Sequence, residues 1–326
     1  FLIETSRGCG RHCRFCMAGY CFRKPRHRSL DKLTALLPEA AKLNKKVGLM
    51  GPAISDYPQI DELCRQIREL NLPMSVASFR ADSVTEKLVE ALAQSGQRTL
   101  TLAPEAGSVK IRNVINKGIE EEHLFHAVKL GVEAGVKNYR MYIMVGLPKE
   151  TSEDIDAIID MTVRLKKYME ELGSKGTLTL SINPFIAKPC TPFQWLPMAD
   201  LKQTEKYFKL IKTSLKKYKN IEVQFESTKE TYIQGILARG GRLVSEALLQ
   251  AHLNGGAKAF KRALKQLGLN GDTYLYRERS RTEILPWDSL DMGFTKEYLA
   301  HELDMAMQEK HTVQCFDGCK RCGVCK

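Results

Sequence analysis

The sequence predicts an α/β fold: a partial, open (β/α)6 barrel with a mostly helical C-terminal extension. Two observations predict it. Six short apolar runs alternate with helical patterns through the first 200 residues, and such alternation implies parallel strands joined by right-handed crossovers. Three cysteines then follow directly on the first apolar run, at the strand end where these folds collect ligands. A doubly wound open sheet is the alternative arrangement.

The runs Phe1–Glu4, Val47–Gly51, Met74–Phe79, Thr99–Ala103, Tyr139–Gly146 and Leu178–Phe185 read as strands. Helical patterns occupy Leu30–Leu43, Tyr57–Leu70, Asp82–Gln94, Ile119–Ala134 and Ser152–Leu172. Within Asp82–Gln94, Val84, Leu88, Val89 and Leu92 share one face at helical period. Ser83 and Glu86 have the spacing of a capping box, and Ser152 is placed to cap its helix. Residues 1–200 are therefore expected to form the barrel core. Beyond Asp200 the alternation fades. Leu201–Tyr218 reads as a helix, Ile221–Phe225 as a short strand, and Glu226–Leu267 as helical with a break at Gly240–Gly241. Gly268–Asp291 is loop-like, and Lys296–Lys310 is the last helix. Residues 201–310 are expected to form the extension and 311–326 a cysteine-rich tail.

The chain has 326 residues, 43% hydrophobic and 27% charged, an ordinary globular composition and enough for one large α/β domain plus a smaller unit. No apolar stretch reaches the roughly 18 residues of a membrane span, and no signal peptide pattern is present, so no membrane partner is expected. The net charge of +12 fits either a solvated basic surface or an anionic partner such as RNA or a phosphate- or carboxylate-bearing substrate. No RNA-binding module signature accompanies it. The chain opens at Phe1, inside an apolar run, as expected if a further domain precedes it.

Ten cysteines are unevenly placed. Cys9, Cys13, Cys16 and Cys21 stand at one end, and Cys315, Cys319, Cys322 and Cys325 at the other; only Cys64 and Cys190 lie between. Such clusters fit metal ligation in a reducing, cytoplasmic setting. Cys9, Cys13 and Cys16 offer three thiolates. A zinc site would want a fourth ligand, from Cys21 or His12. A [4Fe–4S] cluster held by three thiolates keeps one iron open to a small molecule. Gly8 and Gly10 let the loop wrap a cluster, and Arg11 and Arg14 offset its negative charge. The four tail cysteines suit a fully ligated second [4Fe–4S] cluster or a zinc ion. The basic run Arg23–Arg28 follows the first loop and either guides an anionic substrate or is simply solvated. His123 and His126, at i and i+3, have a geometry that binds metal or lies at a surface.

The CxxxCxxC spacing after the first strand, with Phe15 before the third cysteine, resembles the radical S-adenosylmethionine (SAM) superfamily. The resemblance implies that Cys9, Cys13 and Cys16 hold a [4Fe–4S] cluster whose open iron binds SAM, with electrons from a donor such as flavodoxin or ferredoxin. Gly51 and Pro52 stand where relatives carry a Gly-Gly-Glu turn facing the SAM amino group; the glutamate is absent here, and Ser55 and Asp56 are its candidate substitutes. SFRAD resembles a Ser-x-Arg-x-Asp segment and places Ser78 and Arg80 at the site, although Arg80 and Asp82 would also pair simply to cap a helix. LAPEAGS offers Glu105 for the ribose hydroxyls. Lys117 in INKG, with Arg112 as competitor, is placed for the SAM carboxylate. YIMVGLPKET resembles the adenine-packing segment, giving Met144, Val145 and Gly146.

IETSRGCGRHCRFCMAGY, PFIAKPCTPFQW and EILPWDSLDMGFTKEYL narrow the resemblance to radical SAM proteins fused to a cobalamin-binding-like domain and related to methylthiotransferases. It implies methyl or methylthio transfer, or another modification, of RNA, protein or a metabolite, with cobalamin supplied through an N-terminal domain. Relatives often carry His at the position of Cys190, which is expected to be a buried thiol. Tyr20 and Cys21 are candidate hydrogen-atom partners. The competing class is a redox-sensing or structural iron–sulfur protein without SAM turnover.

Overall fold

A computed structural model describes residues 1–325. Seven parallel strands follow one another in chain order around an open barrel: β1 (Leu2–Glu4), β2 (Val47–Met50), β3 (Met74–Val76), β4 (Thr99–Glu105), β5 (Asn138–Val145), β6 (Leu178–Pro184) and β7 (Ile221–Phe225). The first three form one sheet and the last four another. A parallel bridge between Phe79 and Leu102 joins them. The barrel is the predicted partial one, with a seventh strand: the helix Leu201–Leu215 is a further crossover that returns the chain to pair β7 with β6. The short strand expected at Ile221–Phe225 thus carries the sheet on into the mostly helical extension.

Local chemistry moves several helix ends. The first helical pattern divides into Leu30–Thr34 and Leu37–Lys42, with Pro38 in the first turn of the second piece, where its missing N–H costs nothing. Ser83 and Glu86 do not form the expected box. Ser83 lies in a 3-10 turn and donates to Ser55 Oγ, while Thr85 caps the helix Glu86–Gln94 by accepting from Leu88 N. Thr151, not Ser152, caps Ser152–Glu171, and Asp154 accepts from Thr151 N at 2.8 Å. His123 is also a capping group: its Nδ1 accepts from Glu120 N at 2.9 Å. A second glycine break, at Gly255–Gly256, joins the Gly240–Gly241 break to divide the extension into Thr228–Arg239, Leu243–Leu253 and Ala257–Gln266. A short helix, Gly271–Tyr276, interrupts the loop-like stretch.

Burial follows the strand period. Leu100, Leu102, Met141, Ile143, Leu180 and Ile182 are buried against the surrounding helices, whereas Arg140, Tyr142 and Met144 alternate with them on the other face of β5. A second apolar cluster joins Tyr20, Trp195, Leu299, Leu303 and Cys322. It fastens the helix Lys296–Met307 and the tail over the strand ends. No helix among the described residues is long and apolar enough to cross a membrane.

Gly107, just past β4, lets the helix Ser152–Glu171 approach closely. A Cβ there would collide with the backbone of Ala157 and Ile158. Gly107→Ala is expected to destabilise the protein by about 1–3 kcal/mol, read as a lower urea midpoint with an unchanged m-value.

Candidate functional site

The chain leaves β1 through Thr5, whose N–H donates to Met50 O at 2.8 Å. Ser6–Arg7 then pairs antiparallel with Arg26–His27, so the basic run folds back beside the first cysteine loop. Gly8 makes this turn possible: its φ is +80°, and a Cβ there would strike Phe22 O. Cys16 N donates to Cys13 O at 3.0 Å, and Arg14 N to Ile115 O at 2.9 Å. These bonds wind Cys9, Cys13 and Cys16 into one compact loop.

The three thiols lie in one another's field. Burial pushes Cys9 up to about 11, and Cys13, Cys16 and Asp56 add to the rise. Cys16 is raised by burial and then by Cys13, against the pull of two backbone amides and Lys117. Mutually repelling thiolates of this kind become stable when a cationic metal group shares them. Two arginines reach the loop, each paired with carboxylate. Arg80 donates to Cys13 Sγ at 3.8 Å, and Arg11 bridges Asp56 and Asp82. Among the described residues no three His, Cys, Asp or Glu side chains are set to hold a single metal ion. The proposed fourth zinc ligands are engaged elsewhere: His12 Nδ1 lies 2.7 Å from both the Tyr298 hydroxyl and Arg23, and Cys21 pairs with Cys190.

Beside this loop, at the strand ends, lies a cavity of about 330 Å³ lined by Phe15, Glu105, Tyr142, Met144, Asn183 and Lys188, among others. Glu105 adopts a left-handed backbone, φ +69°, uncommon for a residue other than glycine. Its Oε1 accepts from Lys117 Nζ at 3.0 Å, and that ammonium stands 5.8 Å from the Phe15 ring centre. Arg80 ties this group to the cysteine loop. It donates to Lys117 O at 2.6 Å and also pairs with Asp82, so it both contacts the site and makes the pair expected of a helix cap. Ser78 is half-buried beside the Phe79–Leu102 bridge. Gly51 packs close to the Thr5 and Ser6 hydroxyls. Arg112 holds Ala106 O and Gly107 O and braces the turn after β4. The structure thus brings Phe15, Glu105, Lys117 and Met144 together, with Arg80 linking them to the thiols.

The cysteine-rich tail lies on the first loop. Cys315 N donates to Gly10 O at 2.9 Å, and Cys9 and Cys315 line one cavity of about 400 Å³. The Cys315 thiol is raised by burial and by Cys319, Cys322 and Cys325, against the pull of Arg23. Arg321 donates to Cys319 Sγ at 3.1 Å. Arg14 makes the join. Fully buried, it meets Glu302 at 3.0 Å and donates to Thr312 Oγ1 and to the carbonyls of Asn113, Val114 and Lys310. Asn116 bridges His12 O, Thr312 O and Thr312 N.

Arg14 was expected only to offset cluster charge, and the roles of Glu302, Thr312 and Asn116 carry no local sequence signal. Tyr20 is fully buried beneath Arg23. The Cys190 thiol hydrogen-bonds Cys21, drawing Cys21 down to about 7 and pushing its own value up. Cys190 is buried, as expected.

Residues 3–162 match the family model described as the radical SAM superfamily. The chain is 40% identical over 250 residues to an uncharacterized protein of Methanocaldococcus jannaschii, covering 76% of this chain and 54% of that one. It is 27% identical over 196 residues to the cytidylyl-2-hydroxyethylphosphonate methyltransferase of Streptomyces wedmorensis, covering 56% and 35%. It is 26% identical over 179 residues to the tRNA-2-methylthio-N(6)-dimethylallyladenosine synthase of Carboxydothermus hydrogenoformans, covering 51% and 40%. The matched segments span about half of these relatives' length or less.

Arg14→Ala strands the Glu302 carboxylate in the interior. A loss of about 3–5 kcal/mol is expected, measured by chemical denaturation, together with faster proteolysis near residue 312.

Proposed function

The chain belongs to the radical SAM superfamily through residues 3–162, and we propose that it is an enzyme that reductively cleaves SAM at a [4Fe–4S] cluster held by Cys9, Cys13 and Cys16. The observation that carries this reading is the placement of the three coupled thiols on the loop whose Phe15 lines the same cavity as Glu105 and Met144. When bound, the cluster supplies the electron that splits SAM into methionine and a 5′-deoxyadenosyl radical.

The chain's own residues bind and orient SAM. Glu105 accepts the ribose hydroxyls, and Lys117, now paired with Glu105, turns to the SAM carboxylate. Met144, Val145 and Gly146 pack on adenine. Gly146 N donates to Glu150 at 2.6 Å, which fixes that backbone. Gly51, Ser78 and Arg80 complete the thiol side, and Arg80 balances the charge of Cys13. The half-open cavity admits a substrate from the strand ends.

The reaction proposed is methyl or methylthio transfer to RNA, protein or a metabolite. A phosphonate methyltransferase and a tRNA methylthiolating enzyme among the relatives support it, as does the +12 charge for an anionic substrate. Paired with a cobalamin-binding domain, the same site suits methyl transfer to an unactivated carbon. Cys315, Cys319, Cys322 and Cys325 are proposed to hold a second [4Fe–4S] cluster, with zinc as the alternative ion.

Anaerobic reconstitution, reduction by dithionite and addition of SAM should yield 5′-deoxyadenosine by mass spectrometry; iron uptake with no SAM cleavage would favour the sensing class instead. Cys13→Ala should abolish cleavage and leave about half of the iron if the tail holds a second cluster. Glu105→Ala should weaken SAM binding by about 1.5–3 kcal/mol, the range for a charge-assisted hydrogen bond, by calorimetry. Cys319→Ser with Cys322→Ser should remove the tail's metal, measured by elemental analysis, while SAM still binds.

A further inference from the structure

Two groups of residues line the cavity of about 330 Å³ at the strand ends. Phe15, Glu105 and Met144 make the group assigned above to SAM, and there Lys117 cancels the Glu105 charge at 3.0 Å. The other group has had no role so far. Asn183 and Lys188 come from β6 and the segment after it; Glu226 and Gln234 come from the end of β7 and the helix beyond. Both charged members are firmly based. Lys188 O accepts from Thr191 Oγ1 at 2.8 Å, and the neighbouring Ala187 O accepts from the buried Arg239. Glu226 N donates to Ile182 O at 3.0 Å, and Glu226 Oε1 accepts from Gln234 Nε2 at 2.6 Å.

The two half-buried charges feel each other and yet stand apart. Burial pulls the Lys188 ammonium below its ordinary value, and Glu226 draws it back. Among the described residues they do not close into an ion pair, and the ammonium has no hydrogen-bond partner. Glu226 Oε2, the Tyr142 hydroxyl and the Asn183 amide, on the same cavity, are equally open. A ligand that fits must meet both charges. A phosphodiester satisfies Lys188 and is repelled by Glu226. An apolar molecule leaves a cation and an anion desolvated and unpaired.

We propose that this part of the cavity is the substrate subsite and takes the head of a free α-amino acid, its carboxylate on Lys188 and its ammonium on Glu226. The proposal rests on the reading of this cavity as the SAM site, and it narrows the substrate to a zwitterionic metabolite. An amino-acid head carries both charges on one carbon, so a single small group satisfies both residues through charge-assisted hydrogen bonds. Tyr142 and Asn183 supply neutral hydrogen-bonding groups beside it. The amino-acid side chain is then the part free to reach the SAM residues. The methionine end of SAM carries the same two charges, but in the reading above it belongs to the cysteine loop and Lys117.

The test screens the full, reconstituted chain by thermal shift against the common L-amino acids, with and without SAM. At least one amino acid should raise the melting temperature. Its N-acetyl and amide forms, each lacking one charge, should bind about tenfold more weakly or worse by calorimetry. Lys188→Met and Glu226→Gln should each weaken the free amino acid by a similar factor, and Lys188→Arg should keep most of the affinity. In all three variants the SAM affinity and the melting temperature without ligand should match the wild type. The proposal is overturned if no amino acid binds, or if binding is indifferent to both charge-removing substitutions. It is also overturned if Lys188→Met loses SAM, which would give these residues to SAM itself. Inorganic phosphate that binds through Lys188 and is not displaced by any amino acid would make the subsite one for anions alone. If SAM fails to bind the wild type while an amino acid binds through both residues, the enzyme reading falls and the amino-acid subsite stands.

Discussion

The buried guanidinium of Arg14 is the constraint on which the site depends. It sits in the middle of the CxxxCxxC loop, yet its partners come from the turn after β4, the last helix and the tail. A charge this deep is tolerable only when it is paired and its donors are satisfied. Glu302, Thr312 and three carbonyls meet that demand, and in doing so they bring three distant stretches to one point. The loop's shape is therefore inseparable from the position of the chain's last thirty residues or so.

That join changes what the cysteines mean. Taken alone, the first three are a ligand set and the last four another. Arg14, Asn116 and the hydrogen bond from Cys315 to Gly10 bring the two segments together, so that Cys9 and Cys315 line one cavity. Arg11, Arg23, Arg80 and Arg321 each neighbour a thiol or the loop that carries one, so negative charge placed on either set is balanced locally. The residues around Glu105 are organised by an equally compact device: Lys117 neutralises Glu105 directly, while its carbonyl accepts from the arginine that touches Cys13.

Much of this was legible in the chain. The strand and helix alternation gave the barrel, because a period of two or of 3.6 is a local property. Phe15, Glu105, Lys117 and Met144 were singled out through the segments that carry the resemblance, and the fold brings them to one place. The misses were of two kinds. Cap residues shifted by one or two positions, as at Thr85 and Thr151, because neighbouring Ser and Thr compete for the same amides and the choice depends on what else each hydroxyl reaches. Ile221–Phe225 was recognised as a strand, but its place in the barrel follows from the crossover helix before it, a matter of packing.

The sequence by itself determined the barrel and the grouping of the cysteines at its two ends, since strand and helix periods and spacing along a loop are local properties. Only the tertiary structure decided that the tail lies on the first loop, that Cys190 neighbours Cys21, and that Lys117 pairs with Glu105 beside Phe15. The reason is sequence separation. Arg14 and Glu302 are 288 residues apart, and no local pattern encodes a partner that distant; the pairing is set when burial of the second apolar cluster leaves each charge no other place to be satisfied.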